Sequence, residues 1–403
     1  MARANVTVII NDESYFVPGT ESGASLRAGM PSQYNIIGAV GYTAERKSGL
    51  MTINNISDWV SRLKSFDPVG GNTTDYPFIH GSTLSGNTYA GGTYARWPQG
   101  PTGDWTNEWW AAHNYLQYGG VLVVGGTGSD DSVTGSNRLK NKQIPLDVVF
   151  GATGGNATTV STIASNRMDC IAVTNATGDI DNTTDNATND EYNVVVYGRK
   201  RHLNIYRTNN AGESDYITTN CSADVAGCIA RSDKLQAPWW SPAGFKRGQI
   251  LDVISLQENP NDSQMDQMYD LGINPIVTFP GEGTVLFGDK TLADETSTMS
   301  RINVSRLFIY LKKTIGSAAR SKLFEFNDET TRGSFINAVV PVLNNVRARR
   351  GIYDYKVVCD ESNNTSSIID SNQFVADVYI KPSKSINFIR LTFTNKSTAD
   401  PLI

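Results

Sequence analysis

Apolar residues along this chain follow two regimes: short continuous runs in the first two thirds, and helix-spaced stripes in the last third. Residues 5–10 alternate at Val6, Val8 and Ile10 before Asp12, Glu13 and Ser14, which predicts a short terminal strand. The small polar stretch 21–30 predicts a linker, and 34–41 a buried strand ending in glycine. Ser57 stands as N-cap before a helix whose Trp59 or Val60, Leu63 and Phe66 share one face. Residues 68–104, rich in Gly, Pro, Thr and Tyr, predict a long surface loop. Thr106 caps a helix over 107–118 with Trp109, Ala112 and Leu116 on one face, stopped by Gly119 and Gly120. Largely apolar runs follow at 121–124, 146–150, 170–173 and 193–197. Such strands, separated by helix-length segments, predict an α/β domain whose sheet is covered on both faces.

In the last third, 299–315 predicts a helix burying Val304, Leu307, Phe308, Leu311 and Ile315. Arg306, Tyr310, Lys313, Ser317 and Arg320 fall on another face of it. A second helix over 331–349 turns Phe335, Ala338, Val339, Val342 and Val346 inward, with Pro341 predicting a kink. Strands follow at 354–359, 374–380 and 385–393, giving an α+β unit. The expected division is an N-terminal arm and linker (1–25), an N-terminal region carrying the long loop (26–105), an α/β domain (106–280), an α+β domain (281–384) and a C-terminal arm (385–403).

Composition narrows the function. The 403 residues carry a formal net charge of −5, against the basic excess of a nucleic-acid binder. No apolar stretch reaches the roughly 18 residues of a membrane span. The first apolar run, ended by Asn11, is too short for a signal-peptide core, so a cytoplasmic start is expected. Cys170, Cys221, Cys228 and Cys359 are scattered and read as buried reduced thiols. Only His80, His113 and His202 are present; HExxH, Gly-Lys and Gly-x-Ser-x-Gly are all absent. Gly126-Thr-Gly128 follows a strand, but Asp131 at the third glycine position would oppose a pyrophosphate. His80-Gly-Ser82 superficially resembles the histidine motif of subtilisin-type proteases, yet no Gly-Thr-Ser completes it. Trp109-Trp110 and Trp239-Trp240 read as core in preference to carbohydrate platforms. No catalytic, metal or cofactor site is expected.

The C-terminal half carries longer signatures. Gly227-Cys-Ile-Ala-Arg231-Ser-Asp233 precedes Ala237-Pro-Trp-Trp-Ser-Pro-Ala-Gly244-Phe-Lys-Arg-Gly248. Gly272-Ile-Asn-Pro-Ile276 then leads to Phe279-Pro-Gly-Glu-Gly-Thr-Val-Leu-Phe-Gly288. Arg349-Arg-Gly-Ile-Tyr-Asp-Tyr-Lys-Val-Val-Cys-Asp360, Asn363-Asn-Thr365 and Phe374-Val-Ala-Asp377-Val-Tyr-Ile-Lys-Pro382 follow in order. Over about 220–400 the chain resembles contractile phage tail sheath proteins. The resemblance implies hexameric rings of this chain stacked around a tail tube on a baseplate, completed by tail terminator proteins, as a non-enzymatic virion component. It also implies a subtilisin-like non-catalytic α/β middle domain. Terminal arms would donate strands between subunits, through Val6, Val8 and Ile10 at one end and Ile386, Phe388, Leu391 and Phe393 at the other. With the terminal domain innermost, Arg306, Lys313 and Arg320 become tube-contact candidates, and Lys312 and Lys322 lesser ones. The alternatives are the sheath of a phage-derived injection device, a subtilisin-like hydrolase and a glycan-binding adhesin.

Overall fold

The computed structural model describes residues 37–41, 50–57, 59, 104–125, 139, 142, 145–151, 157–181, 183, 189–205 and 215–385. The first half contributes β1 (Ile37–Gly41), β2 (Leu50–Ile53), α1 (Asp104–Gln117), β3 (Val121–Gly125) and β4 (Val148–Phe150). Then come α2 (Ala157–Arg167), β5 (Ile171–Asn175), β6 (Asn193–Tyr197), β7 (Arg199–Leu203), β8 (Tyr216–Asn220) and α3 (Ser222–Leu235). β9 (Ser255–Leu256), α4 (Asp262–Asp270), β10 (Ile273–Phe279) and β11 (Gly283–Leu286) complete the α/β part.

Eight of these strands form one sheet in the order β11-β10-β6-β5-β4-β1-β3-β2. The six inner strands are parallel, with Gly38 opposite both Leu122 and Val148, and the edge strands β2 and β11 are antiparallel. Every residue of β4, β5 and β6 is buried, and α2 and α3 both pack on these strands. The sheet is therefore covered on both faces, as the apolar runs predict. β7, β8 and β9 make a separate three-stranded sheet that the hydrophobic pattern does not announce.

α1 and α3 pack against each other behind the sheet. Gly227 permits their close approach, because a Cβ there would fall inside the Tyr118 ring. α1 starts at Asp104, and instead of one apolar face it buries Trp110, Ala111, Ala112, His113, Tyr115 and Leu116. Tertiary packing on several sides explains the lost single-face pattern. Of the helix expected after Ser57, only residues 56, 57 and 59 are described, and they are helical. Most of the expected long loop lies outside the described residues, as do the strand at 5–10 and the segment beyond Ser385. The boundary expected at 280 falls inside the β10–β11 hairpin, which the central sheet keeps whole.

The remainder is α5 (Ile302–Arg320), α6 (Glu329–Ala348), β12 (Ile352–Val358), α7 (Ser366–Asp370) and β13 (Asp377–Pro382). Asp328 caps α6 by accepting from the Thr331 amide, and the helix runs on through Pro341 at an exposed position. Leu307, Leu311, Phe335, Val339, Leu343, Val346 and Ile352 build this domain's core around Trp239. Ala338 is exposed and Leu343 takes the buried place assigned to it, a shift in the stripe of α6.

Candidate functional site

α5 lies against the α/β domain, and its polar side chains explain why. Arg306 is buried and makes a bidentate pair with Asp233 of α3, at 2.5 and 2.7 Å. It also donates to the Pro238 carbonyl. Burial raises the Asp233 pKa, and the Arg306 guanidinium opposes that rise. Lys313 donates to Asp147 at 2.7 Å and to the Leu146 carbonyl at 2.9 Å, just before β4. Ser305 donates to the Glu191 carbonyl, and Asn303 to the Ser383 carbonyl. The Trp239 indole donates to the Arg349 carbonyl at the end of α6. The contacts of Arg306, Lys313, Ser305 and Trp239 join the two domains into one body, and that of Asn303 ties α5 to the end of β13 within its own domain.

This geometry corrects the expected basic contact face. Arg306 and Lys313 turn inward, each charge taken up by an intramolecular carboxylate, because α5 carries its polar face onto the α/β domain. Lys312 is buried, and burial pushes its pKa down to about 8. Lys322 bonds Ser334 at 2.8 Å. Arg320 is half-buried, its Nη2 has no hydrogen-bond partner, and desolvation lowers its pKa. Val6, Val8, Ile10, Ile386, Phe388, Leu391 and Phe393 lie outside the described residues. The point from which the C-terminal segment departs is nonetheless fixed: Ser385 donates to buried Asp289 at 2.7 Å. Burial pushes the Asp289 carboxyl up to about 6.

β12 and β13 pair antiparallel as a two-stranded sheet on α6. Among the described residues neither outer edge carries a further strand. Tyr353 and Tyr379 project from it, 73% and 52% exposed. Two strands alone are marginal in water, so such a pair is completed by packing or by added strands.

A buried polar node behind the sheet escapes the sequence reading. Lys200 of β7 donates to Asp224 of α3 at 2.8 Å and to the Leu251 carbonyl at 2.9 Å. Tyr118 donates to the same carboxylate at 3.0 Å and accepts from the Leu251 amide. The strand alternates, with Lys200 and His202 buried and Arg199, Arg201 and Leu203 exposed. All but one of these side chains are polar, so hydropathy cannot tell which face is inside. At the ends of β4 and β5, Asn175 donates to the Gly151 carbonyl and to Ser222. The Ser222 hydroxyl donates to the Gly151 carbonyl, so it is engaged by backbone instead of by a histidine.

His113 and His202 pack against Trp110 with ring centroids at 5.0 and 4.7 Å. Burial lowers both, His113 to about 4. A histidine held neutral in the fold and titrating at 6.5 when free stabilises the protein above that pH. Its contribution is lost as pH falls from 6.5 toward 4. Going from pH 7 to pH 5 should cost about 2 kcal/mol from His113 alone. Asp190 and Asp289, both pushed up to about 6 by burial, act oppositely and gain stability as pH falls below that value. His113→Gln is expected to shrink the pH 7-to-5 loss in thermal stability by about that 2 kcal/mol. Parallel pH profiles for variant and wild type would contradict this.

Residues 150–292 match the family model for the phage tail sheath protein central domain, and 294–396 that for the phage tail sheath C-terminal domain. The chain is similar to the tail sheath protein of Vibrio phage KVP40, 51% identical over 177 residues, which are 44% of this chain and 26% of that protein. The tail sheath protein of Enterobacteria phage T4 is 48% identical over 177 residues, 44% of this chain and 27% of that one. The matched part is thus about a quarter of the length of these relatives. The fold is similar to the contracted sheath complex of the extracellular contractile injection system PVC, with TM-score 0.67 and 18% identity, covering 97% of this chain and 99% of that one. The contracted helical sheath of the anti-feeding prophage gives TM-score 0.66 and 16% identity over 96% of this chain and 100% of that one. At such identities the likeness shows the fold alone.

Proposed function

Because the chain belongs to the phage tail sheath family, its two domains matching consecutive sheath models, we propose that it is the structural subunit of a contractile phage tail sheath. Copies assemble as stacked hexameric rings around a tail tube, between a baseplate and a terminator, and contract to drive the tube through a host envelope. The protein acts as a non-enzymatic virion component made and assembled in the host cytoplasm. The observation that carries this reading is a joined two-domain body ending in a two-stranded sheet with both outer edges open among the described residues. Terminal strands from neighbouring subunits add to those edges through main-chain hydrogen bonds. Residues 5–10 are one donor and 386–393 the other, the latter leaving the body at Ser385. Contraction then rotates rigid bodies while the linkers flex and the added strands keep copies connected.

The middle domain is a subtilisin-type α/β layer without its catalytic set, a reading supported by the parallel sheet and by the backbone-bound Ser222 hydroxyl. Of the three tube-contact candidates, Arg320 remains, because Arg306 and Lys313 are paired within the chain. The 51% and 48% identities to phage sheaths favour a virion over a free injection device. Negative-stain microscopy of the purified protein tests the proposal. Hollow tubes or ring stacks are expected; a monodisperse monomer at high concentration would overturn it.

A further inference from the structure

The loop joining α5 to α6 ends in two phenylalanines that the subunit leaves bare: Phe324 is 91% exposed and Phe326 85%. Single exposed apolar residues are ordinary, but two aromatic rings this bare, two residues apart at a hairpin tip, are not. Phe324 has φ +71°, a left-handed conformation that a residue with a Cβ seldom adopts. The loop backbone is fixed there by hydrogen bonds from Leu323 to the Arg320 carbonyl and from Asp328 to the Phe326 carbonyl. The rings are thus displayed by an ordered turn.

A second aromatic patch sits at the β10–β11 edge of the central sheet. Phe279 lies between Phe245, which it meets edge-on, and a tilted Phe287, with centroids at 5.4 and 5.0 Å. The outer two rings remain 41% and 46% exposed. The two features cannot meet within one subunit. The Ile302 amide bonds the Asp289 carbonyl, two residues past Phe287, which starts α5 beside the patch. The 19 residues of α5 then carry its far end roughly 27 Å away at 1.5 Å per residue. Charge also matches. Glu325, Asp328 and Glu329 are exposed around the bare rings, whereas exposed Lys246 follows Phe245 directly in the patch. Like charges are few: exposed Glu282 in the hairpin turn and buried Asp289 lie near the patch, and half-buried Lys322, which donates to Ser334, lies near the tip.

From these features we infer that the Phe324/Phe326 tip docks on the Phe245/Phe279/Phe287 patch of a second copy of this chain. Tip and patch are different surfaces, so the contact is heterologous: it propagates from subunit to subunit and closes only as a ring. Apolar burial supplies the contact, and Glu325 against Lys246 sets its register. The inference rests on the sheath reading and names one surface through which its copies associate.

The test uses the full-length chain. All four native cysteines are buried, so introduced surface thiols report cleanly. Phe324→Cys and Lys246→Cys are placed in copies bearing different tags, mixed under assembling conditions and treated with a short bismaleimide. The expected product joins the two tags, and appears only when both substitutions are present. In parallel, F324S/F326S should keep the wild-type melting profile while raising the critical concentration for polymerisation at least about tenfold, the factor that about 1.4 kcal/mol represents. E325K and K246E should each weaken polymerisation, and together restore it. Wild-type polymer formation is the control: without it the sheath reading itself fails. If wild type polymerises and F324S/F326S does so equally well, this inference falls and that reading stands. Loss of tube binding with intact self-polymerisation would make the tube the occupant, and an intramolecular cross-link in a dilute, unassembled chain carrying both F324C and K246C would make it the chain's own body; either result overturns the proposal.

Discussion

Arg306→Ala should destabilise the subunit by about 3–5 kcal/mol, the usual consequence of leaving one member of a buried ion pair uncompensated. The side chain is 6% exposed and its partner Asp233 11%, so little water reaches either charge. Removing the guanidinium strands a carboxylate whose burial already disfavours ionisation, and it breaks the two-point contact that fixes α5 on α3. Asp233→Ala should cost a similar amount. The double replacement R306M/D233L should be milder than either single change, because an apolar pair of similar volume leaves no orphaned charge. Chemical denaturation of the three variants measures this. If the double variant is as unstable as the sum of the singles, the pair is not the unit that matters. Assembly should fail in the single variants as well, since a subunit whose domains separate cannot move as one body.

Deleting residues 1–20 should have the opposite character: an unchanged fold and no polymer. If the strand at 5–10 is donated between subunits, as proposed, the body that contains the central sheet, α5, α6 and the β12–β13 pair should lose no stability. A six-residue strand contributes several main-chain hydrogen bonds at roughly 0.5–1.5 kcal/mol each, and their loss multiplies across every contact of a lattice. Circular dichroism and sedimentation of the truncated chain read both halves of this expectation. An unfolded or insoluble truncated chain would show that the N-terminal strand belongs to its own subunit.

What the sequence discloses, and what it hides, follow one physical divide. Val148, Val149 and Phe150, or Val194, Val195 and Val196, announce strands buried on both faces, since no polar residue interrupts them. The stripe of α5 is equally plain at Val304, Leu307 and Leu311, all buried. Periodicity reports only that a face is apolar or polar; it does not report a partner 73 residues away. Arg306 and Lys313 therefore look like a solvated basic face, although Asp233 and Asp147 take up their charges. Lys200 is harder still, because the strand around it is polar on both sides and only Asp224 explains which side is buried. The aromatic tip at Phe324 and Phe326 goes unnoticed for a related reason: hydrophobic residues in a short loop read as core until their exposure is known.

In the proposed assembly the ends of one copy complete the small sheet of another. A cryo-electron microscopy map of an assembled particle, traced through each chain's termini, tests it most directly. The map should show the β12–β13 pair widened by strands from other subunits, one of them running from Ser385 of a neighbour. A pair that stays two-stranded in the particle, or is widened only by its own chain's termini, would contradict the account.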